Sequence, residues 1–260
     1  MVEKEILAGG RVGKIFREDD IVRRPANKWT IHIHQFLNYL HENGVSFVPK
    51  PIGITEQNDE LITYMPGDVF NYPLPKKLLS EEALISSAKL LYKFHEVSKT
   101  YVSKLTMDEQ WMLPSVEPIE VMCHGDFAPY NVTTNNGIAI GIIDFDTLHP
   151  GSKMWDIVYG LYRFVPLSWD ANTEANFTLQ EKIKRTALFL DTYGINADAR
   201  KNTVKLLISR LQALMSFMQA EAANGNEDFQ RNIKDGHMQI YIDDISLLKK
   251  HEHEIILGIS

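Results

Sequence analysis

Three polar side chains near the middle of the chain have the types and the spacing of a phosphoryl-transfer site. Asp126 and Asn131 are five positions apart, and Asp144 follows a short apolar segment. In kinase-type sites, one loop supplies an aspartate for the acceptor hydroxyl and an asparagine for a metal ion, and a second aspartate holds another metal ion. The spacing therefore predicts Asp126 as the catalytic base and Asn131 and Asp144 as ligands of Mg²⁺, which prefers oxygen ligands.

A β-hairpin is predicted to position these side chains. Two apolar segments, 131–134 and 138–143, flank Asn135-Asn136-Gly137, and Asn-Gly is a strong signal for a tight hairpin turn. The hairpin would return Asp144 to the loop that holds Asp126. The alternative interpretation of the same residues is a hairpin with solvated aspartates at both ends.

The elements around this hairpin divide the chain into two parts. Residues 1–66 contain short apolar segments typical of strands and one segment, 29–42, with apolar residues at helical spacing. Met65-Pro66-Gly67-Asp68 interrupts the pattern, and the chain beyond it is mainly helical in its periodicity. We therefore predict an N-terminal nucleotide-binding lobe, 1–66, and a C-terminal lobe, 67–260, that holds the catalytic and acceptor-binding residues.

The composition argues against several classes of protein. The formal net charge is −7 and no dense block of Lys and Arg occurs, so we expect no binding to nucleic acid. The single cysteine, Cys123, cannot form an internal disulfide. No run of about 18 apolar residues predicts a membrane span, and the first residues lack the apolar core of a signal peptide. We expect a cytoplasmic protein with no membrane partner.

These motifs resemble the signatures of the aminoglycoside phosphotransferase and choline kinase-like superfamily. The residues that carry the resemblance are His124-Gly125-Asp126-Phe127-Ala128-Pro129-Tyr130-Asn131, Ile143-Asp144-Phe145-Asp146 and Trp155-Asp156. The resemblance covers most of the chain and is specific for the superfamily but not for a substrate. It implies an α+β, protein-kinase-like bilobal fold, with a small β-rich N-lobe and a larger, mainly α-helical C-lobe, that binds ATP.

The resemblance also assigns further residues to the site. Asp146 takes the position at which the family often has a second acidic residue, so we count it as a third metal ligand. Asp156 matches an aspartate thought to brace the catalytic loop, although an ordinary aspartate near a helix N-terminus is the alternative. We expect His124 to support the loop through hydrogen bonds to its backbone.

The phosphate-binding residues follow the family pattern less closely. The family usually has a strand Lys or Arg two residues before a proline, which assigns the α/β-phosphates to Arg23, whereas Arg24 would point to the opposite face of the strand. The usual partner is a helix glutamate, but His34 and Gln35 occupy the expected place. Gly10 and Gly13 are expected to cover the phosphates. The backbone groups of Thr63, Tyr64 and Met65 are expected to bind adenine.

The sequence thus predicts an enzyme that uses ATP and Mg²⁺ to phosphorylate a hydroxyl group of a small molecule, such as an aminoglycoside, an amino alcohol or a related metabolite. The acidic balance of the chain is compatible with a cationic acceptor. A nucleotide-binding regulatory pseudokinase with little transferase activity is the alternative, because the helix glutamate is missing and an arginine replaces the usual lysine. A protein kinase is disfavoured, since His-Gly-Asp replaces His-Arg-Asp and no Ala-Pro-Glu segment is present.

Overall fold

The computed structural model describes residues 4–7, 15–106, 108–168 and 176–260. The chain forms two compact units, and each is built from segments that are distant in sequence. The first unit comprises residues 1–69, 90–125 and 131–153, and the second comprises residues 70–89, 126–130 and 154–260. The lobe boundary after residue 66 stays a prediction.

The first unit contains a five-stranded antiparallel sheet with the strand order β1-β2-β3-β5-β4. Its strands are β1 (Lys4–Ile6), β2 (Phe16–Glu18), β3 (Ile21–Pro25), β4 (Pro51–Ile54) and β5 (Asp59–Thr63). Helix α1 (Thr30–Glu42) follows β3 and buries the apolar residues Ile33, Phe36, Leu37 and Leu40. These residues recur every three or four positions, so they lie on one face of the helix. The sheet and its helix confirm the predicted β-rich N-lobe.

Two further strand pairs belong to the first unit. Strand β6 (Val121–Cys123) pairs with β9 (His149–Gly151), and β7 (Val132–Asn135) pairs with β8 (Ile138–Ile142). Asn136 and Gly137 in the β7–β8 turn both have positive φ, 51° and 84°. Two consecutive left-handed residues are what a type I′ turn requires. The predicted hairpin is therefore confirmed.

The second unit is helical among its described residues. Helix α2 (Glu81–Val102) begins in this unit and ends in the first. It is followed by α3 (Lys153–Phe164), α4 (Leu179–Tyr193), α5 (Ala197–Arg200), α6 (Thr203–Ala223), α7 (Glu227–Lys234) and α8 (His237–Ile259). A capping box between Thr178 and Glu181 starts α4, and Gly194 in the left-handed conformation ends it. No helix in the described ranges is long and apolar enough to cross a membrane.

Candidate active site

Strand β3 presents two consecutive arginines on opposite faces of the sheet, because side chains alternate along a strand. Arg23 lies on the more exposed face and donates to Asp59, with an Nε–Oδ2 distance of 2.8 Å. Arg24 is buried and lies opposite Glu60 of β5 in the sheet register. The two arginines therefore have different carboxylate partners and different access to solvent.

Arg24 contacts three carboxylates of the first unit. Its Nη1 donates to Asp144 Oδ1 at 2.9 Å, its Nη2 donates to Asp146 Oδ1 at 3.0 Å, and its Nε donates to Glu60 Oε2. Burial alone would lower the pKa of Arg24, but these carboxylates outweigh it and hold the pKa above its ordinary value. The guanidinium is thus a permanent positive charge beside the two aspartates of the predicted metal site.

Glu60 is supported from helix α1 by His34. His34 Nε2 donates to Glu60 Oε1 at 2.9 Å, and Glu60 is only 1% exposed. Burial alone would raise the pKa of Glu60, but the hydrogen bonds from His34 and Arg24 together lower it. Glu60 therefore stays ionised. Glu60 of β5 therefore binds Arg24, and His34 of α1 supports Glu60. His34 stands at the position in the helix where a glutamate was expected.

The end of the β7–β8 hairpin places Asp144 beside the backbone of Asn131. The Ile143 N–H donates to the Asn131 carbonyl at 2.9 Å, and Asp144 has a φ of 61°. This left-handed conformation is uncommon for a residue other than glycine and is concentrated at functional sites. The Asp144 side chain is 48% exposed despite its contact with Arg24, so a ligand can reach it.

The donor atoms in this part of the first unit suit Mg²⁺. Asn131, Asp144 and Asp146 offer oxygen ligands, and Mg²⁺ in nucleotide-using enzymes takes one or two carboxylates together with phosphate oxygens and water. No group of three or more His, Cys, Asp or Glu side chains in the described part of the chain could hold a metal by itself. These residues therefore suit a metal ion that is bound jointly by the protein and by nucleotide phosphates. They suit less well a metal ion that is bound by protein ligands alone.

The backbone before Asp126 is fixed by His124 and Gly125. His124 is buried, and its Nε2 donates to the Ile143 carbonyl at 3.0 Å. Gly125 has a φ of 82°, and a Cβ at this position would lie 2.3 Å from the Thr147 carbonyl oxygen. Only glycine fits such a close approach of two backbone segments. The segment that follows β6 is thereby held against the segment that carries Asp144.

Asp126 belongs to the second unit, where Tyr130 is one of its hydrogen-bond partners. The Tyr130 hydroxyl donates to Asp126 Oδ1 at 2.7 Å and lies 3.4 Å from the Tyr159 hydroxyl. Burial, and then the charge of Asp126, raise the pKa of Tyr130 well above its ordinary value, so the phenol keeps its proton. A neutral donor of this kind stabilises a charged carboxylate.

The residues predicted to bind adenine differ in their available backbone groups. The Thr63 N–H already donates to the Lys50 carbonyl at 2.9 Å, and the Tyr64 N–H donates to the Asp20 carbonyl at 2.7 Å. The Met65 backbone makes no hydrogen bond to any residue that the structure describes. Of the three, Met65 is therefore the residue whose backbone N–H remains available to a new partner.

The remaining predicted residues are placed as follows. Asp156 is fully buried in the first turn of α3. Gly10 and Gly13, which were predicted to cover the phosphates, lie outside the described residues. The sequence pattern assigned the phosphates to Arg23, and it did not indicate the buried ion pair of Arg24 with Glu60. Opposite charges that face each other across neighbouring strands stabilise a sheet, so Arg24 and Glu60 could have been predicted to pair. That prediction requires the register of β3 and β5, which the sequence alone does not give.

Comparison with known proteins relates the chain to phosphotransferases. Residues 103–184 match the model of the phosphotransferase enzyme family. A trifolitoxin immunity protein of Rhizobium leguminosarum bv. trifolii is 23% identical over 215 residues, which is 80% of this chain and 81% of that protein. The family match confirms the predicted resemblance.

Solved structures share the fold at low sequence identity. An amicoumacin kinase in complex with AMP-PNP, Ca²⁺ and Ami superposes with a TM-score of 0.62 at 13% identity, and the match covers 89% of this chain and 88% of that chain. A choline/ethanolamine kinase family protein of Mesorhizobium loti gives a TM-score of 0.61 at 13% identity, with 99% and 92% covered. The protein-kinase-like fold is therefore confirmed. With the family match, it supports an ATP-dependent small-molecule phosphotransferase.

Proposed function

We propose that this chain transfers the γ-phosphoryl group of ATP to a hydroxyl group of a small molecule. The observation that carries the proposal is the contact of Arg24 with both Asp144 and Asp146, because it groups a buried cation with two carboxylates. Phosphoryl transfer depends mainly on positioning and charge neutralisation, and a cation beside metal-binding carboxylates serves both.

In this proposal Arg24, and not Arg23, binds the phosphates. A guanidinium has five N–H groups, of which Arg24 uses one on each nitrogen for Glu60, Asp144 and Asp146. Two N–H groups remain for phosphate oxygens. The partner of Arg23 is Asp59, and 37% of the Arg23 side chain is exposed. Glu60 and His34 keep the Arg24 guanidinium in one orientation, which is the work that a helix glutamate does in the family pattern.

Asn131, Asp144 and Asp146 would hold Mg²⁺, which neutralises phosphate charge when bound. The Met65 backbone would bind the adenine ring. Asp126 accepts the proton of the acceptor hydroxyl while that oxygen forms its bond to the γ-phosphorus, and the bond between the γ-phosphorus and the β–γ bridging oxygen breaks to release ADP. The hydrogen bond from Tyr130 keeps the Asp126 carboxylate oriented.

Two variants separate these roles. Asp126→Ala should remove most turnover, by about 10²- to 10⁴-fold for a general base, and should leave ATP binding intact. Asp144→Ala should remove Mg²⁺-dependent ATP binding, measured by titration calorimetry with and without EDTA. Asp228→Ala, an exposed aspartate of α7, is the matched control. Full activity in both site variants would contradict the assignment.

A nucleotide-binding regulatory protein is the second candidate. The observation that favours it is that Arg24 already forms ion pairs with Asp144 and Asp146. The family match and the retention of Asp126, Asn131 and Asp144 favour the enzyme. Slow phosphorylation of any acceptor by the wild-type chain, absent in Asp126→Ala, excludes the regulatory role.

A protective role for the enzyme is supported by one relative. The trifolitoxin immunity protein is similar over about four fifths of both chains, and its name associates it with immunity to a toxin. We therefore propose a toxic compound as one class of acceptor. Expression in a trifolitoxin-sensitive strain should protect the cells with the wild-type chain and not with Asp126→Ala. Equal survival with both chains would contradict this role.

A further inference from the structure

One arginine of the second unit lies among tyrosine rings. Arg163, near the end of α3, has its guanidinium carbon 4.5 Å from the ring centroid of Tyr72 and 5.2 Å from that of Tyr130. The Tyr162 ring lies 5.7 Å away. The Tyr72 hydroxyl also donates to the Arg163 carbonyl at 2.8 Å. Tyrosine faces attract a cation, but they do not satisfy its N–H donors.

The guanidinium of Arg163 has no anionic partner in the described ranges. Its side chain makes no hydrogen bond and no ion pair there, and its Nε is enclosed without a partner. Arg185 of the same unit shows the contrast, since its three nitrogens donate to the carbonyls of Val165, Leu79 and Phe164. Each nitrogen of the Arg185 guanidinium thus has a hydrogen-bond acceptor. Arg163 is partly exposed and keeps donors that a ligand can use.

Tyr130 connects Arg163 to Asp126. The face of its ring lies toward the Arg163 guanidinium, and its hydroxyl donates to Asp126 Oδ1. The predicted base and the arginine are thus both neighbours of one tyrosine side chain. A small molecule whose hydroxyl lies at Asp126 can place a second polar group at Arg163.

The guanidinium groups that lie over the tyrosine rings disfavour a cationic group in that second position. Arg163 already covers Tyr72 and Tyr130, and Arg210 lies 4.5 Å from the ring centroid of Tyr159. The aromatic faces that would attract an ammonium group therefore already carry guanidinium groups. A further cation would be repelled, whereas an anion would complete the hydrogen bonds of Arg163.

We propose that the acceptor carries an anionic group, a carboxylate or a phosphate, which Arg163 binds through its guanidinium while the acceptor hydroxyl lies at Asp126. The proposal rests on the proposed function and adds a substrate class to it. A planar guanidinium with several N–H groups matches the paired oxygens of either anion. This acceptor differs from the cationic one with which the acidic composition is compatible.

The test is a coupled ATP assay with acceptors that differ only in charge. Hydroxy acids and glycerol phosphates form the two anionic arms, glycerol is the neutral arm, and ethanolamine and choline form the cationic arm. We expect turnover with an anionic arm. Arg163→Gln should raise KM for that acceptor about 10- to 100-fold, the effect of losing one charged hydrogen-bonding partner, with a smaller change in kcat.

Two further variants keep the test decisive if Arg163→Gln folds poorly. Arg163→Lys keeps the charge but not the paired donors, so its KM should lie between those of wild type and Arg163→Gln. Arg231→Gln, an exposed arginine of α7, is the matched control and should not change KM. Turnover of cationic acceptors only, or an unchanged KM in both Arg163 variants, overturns this proposal and leaves the phosphotransferase standing. No ATP turnover with any arm overturns both.

Discussion

Adjacent residues take different roles in this protein because strand geometry separates them. Arg23 and Arg24 are consecutive, yet one pairs with Asp59 near solvent and the other is buried against Glu60, Asp144 and Asp146. The spacing of the aspartates could be recognised in the sequence because it depends on neighbouring residues. The different partners of the two arginines could not, because Glu60 lies 36 residues away from Arg24 and its position depends on the register of β3 and β5.

Lysine substitutions test the two arginines. Arg24→Lys should lower kcat/KM for ATP about 10- to 100-fold, since a lysine cannot reproduce the forked donors and each charged hydrogen bond contributes about 1.5–3 kcal/mol. Arg23→Lys should change it less than about 5-fold, because a partly exposed ion pair contributes about 0–1 kcal/mol. Steady-state kinetics with varied ATP measures both. A larger loss in Arg23→Lys would return the phosphate role to that residue.

Glu60 makes the stability of the first unit depend on pH. The pKa of Glu60 is lowered in the folded chain, so its contribution is present above its unfolded value, about 4.3, and is lost as the pH falls through the folded value. Glu60→Gln should cost about 3–5 kcal/mol of unfolding free energy at pH 7, as expected when one partner of a buried ion pair is removed.

Urea unfolding followed by tryptophan fluorescence measures this cost at a series of pH values. The difference between wild type and Glu60→Gln should be constant between about pH 7 and pH 5 and should shrink below about pH 4. A difference that stays constant to the lowest measurable pH would show that the charge of Glu60 is not the cause.

At the scale of elements, the turn at Gly125 holds the end of β6 close to the backbone of Thr147. The hairpin β7–β8 and the helices α1 and α2 were predictable, because turn residues and apolar periodicity are local signals. The contact between Gly125 and Thr147 was not, since it joins two backbone segments that only the pairing of β6 with β9 brings together.

Alanine substitutions at two glycines distinguish the cost of a left-handed backbone from the cost of a steric contact. Gly194 ends α4 with a φ of 91°, and a Cβ added there would meet no atom of the described residues within 4 Å. Gly194→Ala should therefore cost about 1–2 kcal/mol, the cost of a left-handed alanine. Gly125→Ala should cost more than this and should also lower turnover, because its Cβ would meet the Thr147 carbonyl. Denaturant unfolding and the ATP assay measure the pair, and equal costs would show that the contact has no role.

At the scale of the whole molecule, the fold class was predictable and the grouping of segments was not. The family motifs and the change from strand to helix periodicity predicted the β-rich and helical parts. The two compact units, however, each collect distant segments, and residues 126–130 belong to a different unit from the residues on either side. Such a division depends on tertiary packing, for which a single sequence carries no direct signal.

Buried and partly buried tyrosines predict how the molecule responds to alkali. Burial is the first cause of a raised pKa in six of the ten tyrosines: Tyr72, Tyr101, Tyr130, Tyr159, Tyr162 and Tyr241. A raised pKa contributes stability that is complete below the unfolded value, about 10, and is lost as the pH rises through the folded value. We therefore expect unfolding at alkaline pH.

Phenolate absorbance and far-ultraviolet circular dichroism, followed together above about pH 9, measure this response. Part of the rise in absorbance should occur only as the helical signal disappears, because these six phenols ionise when the chain unfolds. A single reversible phase near pH 10 with an unchanged helical signal would contradict the burial of these phenols.

The central claim is that the chain moves the γ-phosphoryl group of ATP to a hydroxyl acceptor with Asp126 as the base. The most direct measurement incubates the protein with Mg²⁺ and ATP labelled at the γ-phosphate in the presence of the charge-varied acceptors and follows the label by chromatography. The wild-type chain should place the label in a new phosphomonoester, and Asp126→Ala should not. If the label stays in ATP, or appears in the same product with Asp126→Ala, the claim is wrong.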